Sequence, residues 1–343
     1  MYNFQILAGF TLFMTLFFNA CGEPPANNEQ NKATKFEKDE SLDQTAGEQL
    51  EEDSEEVRPQ PVKDPPQQTD PEPPNQPPAA GGLPNEESIT CLETNNESYF
   101  EKGPYQVVKE DQEPGFSIWR PEDMDNNCKK PVIAWGNGTG VSGSMTGTAY
   151  GHYGEHLASW GFVVIASHAD GGAGNQGGEP LSKGIDLIID KYKDSIAPLA
   201  GTMGHSQGGK AALSQGVTNE KVGAIVSLQG YGALPKQPTL FLTGSRDQNL
   251  AKTGLQMFGQ HPGPAYLVEL SGADHYRSPT TPGARDHGKK FAGLATALFR
   301  CYLAEDGYAC KNMNDANDAN FCDNESFSEC RKKLGSGKKN LRY

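Results

Sequence analysis

Gly204-His205-Ser206-Gln207-Gly208-Gly209 sets a hydroxyl nucleophile among glycines, where a strand-like run (Pro198–Met203) meets a helix-like one (Gln207–Gly216). A serine on so sharp a strand-to-helix turn is held in a strained conformation. Larger side chains two residues to either side would clash, which is why the pattern is G-x-S-x-G. The turn also exposes the hydroxyl at a helix N-terminus, where positive partial charge favours an oxyanion. A serine hydroxyl is a weak nucleophile; it needs a general base, and the base needs an orienting acid. Two strand ends downstream supply them in order: Thr239–Thr243 is followed by Gly244-Ser245-Arg246-Asp247, and Tyr266–Leu270 by Ser271-Gly272-Ala273-Asp274-His275. We assign Ser206 as nucleophile, Asp247 as acid and His275 as base. Asp247 also stands where an N-cap for the helix Asn249–Phe258 is wanted. Asp274 is the rival acid, but its adjacency to His275 makes it a poor orienter. His168 and His287 are rival bases, and His205 is a structural neighbour of the serine. The oxyanion should be held by the Gln207 backbone N–H and by one from the loop Gly136–Gly140. Gly138 is the chosen donor there, with Asn137 or Thr139 open within a residue; a flexible turn fits the same letters.

The elements needed to hold these groups alternate from Val107 onward. Strands are expected at Val107–Val108, Phe116–Trp119, Pro131–Trp135, Phe162–Ala166, Pro198–Met203, Val222–Leu228, Thr239–Thr243 and Tyr266–Leu270. Helical spacing marks Tyr150–Trp160, Ser182–Tyr192, Gln207–Gly216, Asn249–Phe258 and Lys289–Leu303. Gly136–Gly147 and Gly171–Gly178 are glycine-rich loops. Strands alternating with helices imply crossovers, hence a mainly parallel sheet flanked by helices. Reactive groups then belong at the carboxyl ends of the strands. Only Gln229–Gln237 separate two of these strands, which leaves no room for a lid or cap domain, and Tyr231 in that segment is either a wall of an open cleft or a loop anchor.

The 343 residues carry a formal charge of −14, and the charge is unevenly placed. Residues 22–88 hold 17 acidic and 5 basic side chains, −12 in all, together with 12 of the 24 prolines. Such a stretch cannot bury enough apolar surface to offset its ordering entropy. The remaining −2 gives no electrostatic footprint for nucleic acid. Residues 1–20 are uncharged and mostly apolar, as in a signal peptide, and Phe18-Asn19-Ala20-Cys21 resembles a lipobox, so Cys21 is the expected lipidation site. Residues 21–88 then form an acidic, proline-rich tether, 89–330 the folded domain, and 331–343 a basic disordered tail. An exported chain on a bacterial envelope, lipid-anchored or secreted, fits the six remaining cysteines, an even number suited to disulfides. The pairing expected is Cys91–Cys128, with Cys301, Cys310, Cys322 and Cys330 stapling the C-terminal segment. The Asp/Asn-rich stretch there lacks a calcium-loop pattern, so no metal is assigned.

The strings GHSQGG, TLFLTGSRD, SGADHY and ALFRCYLAEDG together resemble the α/β-hydrolases that include bacterial cutinases, polyethylene terephthalate hydrolases and chlorophyllase-like esterases. The resemblance runs from about Val107 to Cys330. It implies an α/β-hydrolase fold and a serine carboxylic-ester hydrolase, with Ser206, Asp247 and His275 as its triad and no cofactor. Polyester hydrolases of this group usually have an aromatic residue in the first oxyanion loop and a tryptophan after the sixth strand. Here Gly138–Thr139 and Tyr231 stand there, which counts against aromatic polyesters. Short- to medium-chain or polymer-like esters are the expected substrates of a monomer reached from the membrane surface. Other readings of the same triad are a phospholipid deacylase, an acyltransferase or a peptidase. A non-catalytic envelope-binding module on the scaffold is the reading of a different class.

Overall fold

In the computed structural model the described residues are 98–334, except 111–113, 126–127, 281–285, 315–321 and 323. All belong to the compact unit Gln76–Tyr343. The expected signal peptide, the tether, Cys21, Cys91 and residues 335–343 of the basic tail lie outside them.

Nine strands form one sheet. In chain order they are β1 (Val107–Glu110), β2 (Phe116–Pro121), β3 (Lys130–Gly136), β4 (Val163–Ser167), β5 (Ile196–His205), β6 (Val222–Leu228), β7 (Thr239–Gly244), β8 (Ala265–Leu270) and β9 (Phe327–Lys333). Their order across the sheet is β1-β2-β4-β3-β5-β6-β7-β8-β9. From β4 to β8 every pair is parallel, whereas β1, β2 and β9 join antiparallel at the two margins. The helices are α1 (Met145–Ser159), α2 (Glu179–Tyr192), α3 (Gln207–Thr218), α4 (Gln248–Gln260), α5 (Arg277–Thr280), α6 (His287–Leu303) and α7 (Gly307–Asn314).

The strands explain themselves by alternation. Along β6, Ala224, Val226 and Leu228 enter one buried cluster while Ile225 enters the other. Tyr266, Val268 and Leu270 of β8 oppose Ala265 and Leu267 in the same way. Apolar side chains on both faces are what a sheet covered by helices on both sides requires. One layer is filled from α1 and α6 (Tyr150, Tyr153, Leu157, Phe291, Leu298, Phe299). The other is filled from α2, α3 and α4 (Ile185, Ile188, Ala211, Leu213, Met257). This is an α/β architecture, and the connection from β6 to β7 contains no helix.

Three expectations need correction. Helix α1 begins at Met145, five residues before Tyr150, so part of the Gly/Ser/Thr stretch is helical. The region after α6, expected as a stapled loop, contains α7 and the edge strand β9. Arg331–Lys333 belong to β9 rather than to a disordered tail, because their backbones pair with Leu267, Tyr266 and Ala265 of β8. The disulfides Cys301–Cys310 and Cys322–Cys330 hold this region, as expected, and suggest an oxidising compartment. Cys128 is also disulfide-bonded; its expected partner, Cys91, lies outside the described residues.

Candidate active site

Because β3, β5, β6, β7 and β8 run parallel, their carboxyl ends share one rim of the sheet. The loop Asn137–Gly140 follows β3, Ser206 follows β5, Asp247 follows β7 and His275 follows β8. Ser206 occupies φ 55°, ψ −115°, a conformation L-residues avoid. It is held there from both sides, by its own N–H donating to Leu228 O (2.9 Å) and its carbonyl accepting the Lys210 N–H (3.1 Å). The glycines are obligatory. A Cβ on Gly204 would overlap the Gly208 carbonyl, and one on Gly208 would overlap the Gly136 carbonyl.

Strands lie about 4.8 Å apart, so the end of β8 is about 14 Å from that of β5, and the His275 loop must reach back across two strands. Both intervening strand ends hold it. Ser245 N–H donates to Leu270 O (3.0 Å), Arg246 N–H to Ala273 O (2.9 Å), and Gly272 N–H to Ser245 Oγ (2.8 Å). Beyond β6, Gln229 Nε2 donates to Asp274 O (3.0 Å). Asp274 is not the acid but a cap: its Oδ1 accepts the N–H groups of Tyr276, Arg277 and Ser278, starting α5. Burial alone would raise its pKa, but those bonds hold it below the ordinary carboxylate value.

The loop delivers His275 Nε2 to 3.1 Å from Ser206 Oγ and Nδ1 to 2.6 Å from Asp247 Oδ2. Asp247 does occupy the N-cap position of α4, yet its carboxylate makes no capping bond there and faces the imidazole instead. The rival bases are engaged elsewhere. His287 bridges Ser278 Oγ (3.0 Å) and Ser271 O (3.1 Å), and His168 meets Ser117 Oγ (2.9 Å). The chemistry this arrangement permits is attack by Ser206 Oγ with its proton passing to His275 Nε2.

For the oxyanion, Gln207 N–H opens α3, where no intrahelical acceptor is available. Gly138 is a correction: its N–H donates to Tyr150 Oη (3.1 Å), so it is engaged inside the core. Asn137 is fully buried, its Nδ2 donating to Thr146 Oγ1 and Ser167 O, and Gly140 N–H donates to Asp170 Oδ1. With the Gly138 and Gly140 amides engaged, Asn137 and Thr139 are left to present a backbone N–H, and Thr139 is the exposed one. Tyr231 is half-buried against the α2/α3/α4 layer, with Lys210 Nζ 5.7 Å from its ring centroid.

Sequence reasoning passed over Tyr276, 75% exposed, whose ring stands edge-on to His275 at 4.9 Å. Its position immediately after the assigned base was the available signal. It also passed over Tyr150, twelve residues from Gly138 and on another element, for which no local signal exists. Among the described residues no three His, Cys, Asp or Glu side chains gather as a metal site. The chain matches neither a protein-family model nor a curated protein.

Proposed function

We propose that the chain is an exported serine hydrolase of the α/β-hydrolase type that cleaves carboxylic esters through an acyl-enzyme. The observation that carries this reading is the relay Ser206 Oγ–His275 Nε2, His275 Nδ1–Asp247 Oδ2, with the serine on a strained turn. In the reaction, Ser206 Oγ attacks the ester carbonyl as His275 Nε2 takes its proton; Asp247 fixes the ring and stabilises the imidazolium. The Gln207 and Thr139 N–H groups hold the tetrahedral oxyanion. Collapse expels the alcohol, protonated by His275, and water then repeats the sequence on the acyl-enzyme. The short β6–β7 connection inserts no helix at its point of the rim, and Tyr276 offers an exposed aromatic wall beside the base, both suited to extended or surface-borne esters. Anchoring at Cys21 belongs to the same proposal.

The test is intact mass after a serine-directed fluorophosphonate, followed by a panel of esters of graded acyl length. One adduct on the native chain, none on Ser206→Ala, and a roughly 10⁴-fold lower kcat in Asp247→Asn are expected. A folded native chain that takes no adduct would overturn the reading and favour a binding module. Turnover of peptides or phospholipids, with esters untouched, would reassign the substrate and keep the triad.

A further inference from the structure

Two buried rings border the relay without being part of it. Tyr150, on α1, is 2% exposed, and His205, at the end of β5, is 3% exposed. Tyr150 Oη lies 3.1 Å from Gly138 N and 2.8 Å from His205 Nδ1. The His205 ring in turn packs 4.8 Å, centroid to centroid, from that of His275. Neither ring leaves room for a side chain at position 138: a Cβ at Gly138 would sit 2.7 Å from His205 Nδ1 and 2.8 Å from Tyr150 Oη.

The protons in this cluster can be ordered. Burial pushes the Tyr150 phenol up to about 12, so it stays protonated. Burial, with His275 alongside, pulls His205 down to about 3, so its ring is neutral. An amide N–H only donates, so Tyr150 Oη accepts from Gly138 and has one proton of its own to place. His205 Nδ1 is the acceptor within reach. The ring proton must then sit on Nε2, on the side facing the Gln229 side chain and the His275 carbonyl. Both His205 Nε2 and Gln229 Oε1 are buried without a hydrogen bond at the observed distances, a donor and an acceptor on the same side of the ring.

We propose that Tyr150 and His205 are positioning residues: the ordered chain Gly138 N–H to Tyr150 Oη–H to His205 Nδ1 turns the next peptide so that Thr139 N–H faces the acyl oxygen, while the Nε2 edge of His205 steadies the His275 loop. This rests on the acyl-enzyme reading. It gives His205 a reason to be neutral, because an uncharged neighbour does not oppose the imidazolium that His275 becomes during turnover. It also explains why the residue before the nucleophile is a buried polar ring.

The test compares Tyr150→Phe, His205→Leu and His205→Asn in the full chain on a short-chain ester, with thermal unfolding as the check of fold. Loosening one oxyanion donor should lower kcat about 10- to 100-fold in Tyr150→Phe and His205→Leu, with KM changed by less than about threefold. The pH profile should keep its shape, since the base is untouched. His205→Asn, whose Oδ1 falls near the position of Nδ1, should recover most of the loss. Independently of turnover, ring ¹⁵N shifts of His205 in Ser206→Ala should report the Nε2–H tautomer. Full kcat in Tyr150→Phe, no rescue by His205→Asn over His205→Leu, or an Nδ1–H tautomer each overturns the positioning role while leaving the hydrolase reading intact. A native chain without ester turnover or fluorophosphonate adduct overturns the hydrolase reading, and the positioning role with it.

Discussion

The fold should be acid-labile well above the carboxylate range, and the cause lies in histidines held neutral, chiefly His205, buried, and His152 and His156, partly buried; the buried His261 is lowered in the same direction. His152 and His156 on α1 are held down to about 4 by burial, and His205 to about 3. His152 has neither ring nitrogen hydrogen-bonded, while His156 Nε2 donates to Tyr99 O (2.9 Å). Burial leads in each case and neighbours act both ways: His156 lowers His152 further and His275 lowers His205, while on His156 the Tyr99 carbonyl raises the pKa, Lys289 lowers it and Glu101 raises it. Unfolded, all three titrate near 6.5. Between that value and the folded one, the unfolded chain binds protons that the native chain refuses, so stability falls as pH falls. Taking the chain from pH 8 to pH 5 costs RT ln[(1 + 10^1.5)/(1 + 10^−1)], about 2 kcal/mol, for each ring at about 4 and slightly more for His205. The sum, about 6 kcal/mol, is comparable with the whole stability of an ordinary domain, about 5–15 kcal/mol. Urea unfolding at pH 8 and 5, disulfides intact, measures it, and His152→Leu should remove about 2 kcal/mol of the difference. Equal midpoints at the two pH values, or a His152→Leu chain that loses as much as the native one, would refute the reasoning.

Two further outcomes are expected. Gly208→Ala drives a Cβ into the Gly136 carbonyl and should both abolish fluorophosphonate labelling and cost more than about 2 kcal/mol by chemical denaturation; a labelled, stable variant would show that the turn can relax. Replacing Cys301 and Cys310 by serine opens a loop with a sequence separation of nine and should cost about 2–3 kcal/mol with labelling retained, as read from denaturation midpoints; an unchanged midpoint would mean that α6 and α7 hold their ends without the bond.

The central sheet was legible in the chain because its strands are short, apolar on both faces and separated by turn residues, as PVIAW, FVVIA and TLFLT show. Ser206, Asp247 and His275 were legible because each directly follows such a run. Strand β9 was not, since FSECRKK has no apolar alternation; an antiparallel ladder to β8 and the Cys322–Cys330 bond hold it, and neither leaves a periodic signature. The first turn of α1, Met145–Ala149, was hidden by residues of low helix propensity that tertiary packing overrides. The engagement of the Gly138 amide, not foreseen from the sequence, had a non-local cause. What engages the Gly138 amide is a phenol on a helix that turns back over the loop.

The place of β9 bears on how the chain must be made. Strand β8, with Tyr266, Leu267 and Val268 at most 1% exposed, is completed only by residues beyond 326, the last strand in chain order. Until these arrive, the ladder groups of AYLVEL stand open on a flat apolar margin, the kind of template along which nascent copies join one another. Synthesis therefore passes through an interval in which most of the sheet exists and its final border does not. Glu329, Arg331, Lys332 and Lys333 then make it a charged border, net positive even with Glu329 paired to Arg331, and charged edges discourage further pairing. Clipping the chain before Phe327 should accordingly shift it from soluble product to aggregates while leaving Ser206, Asp247 and His275 in the polypeptide.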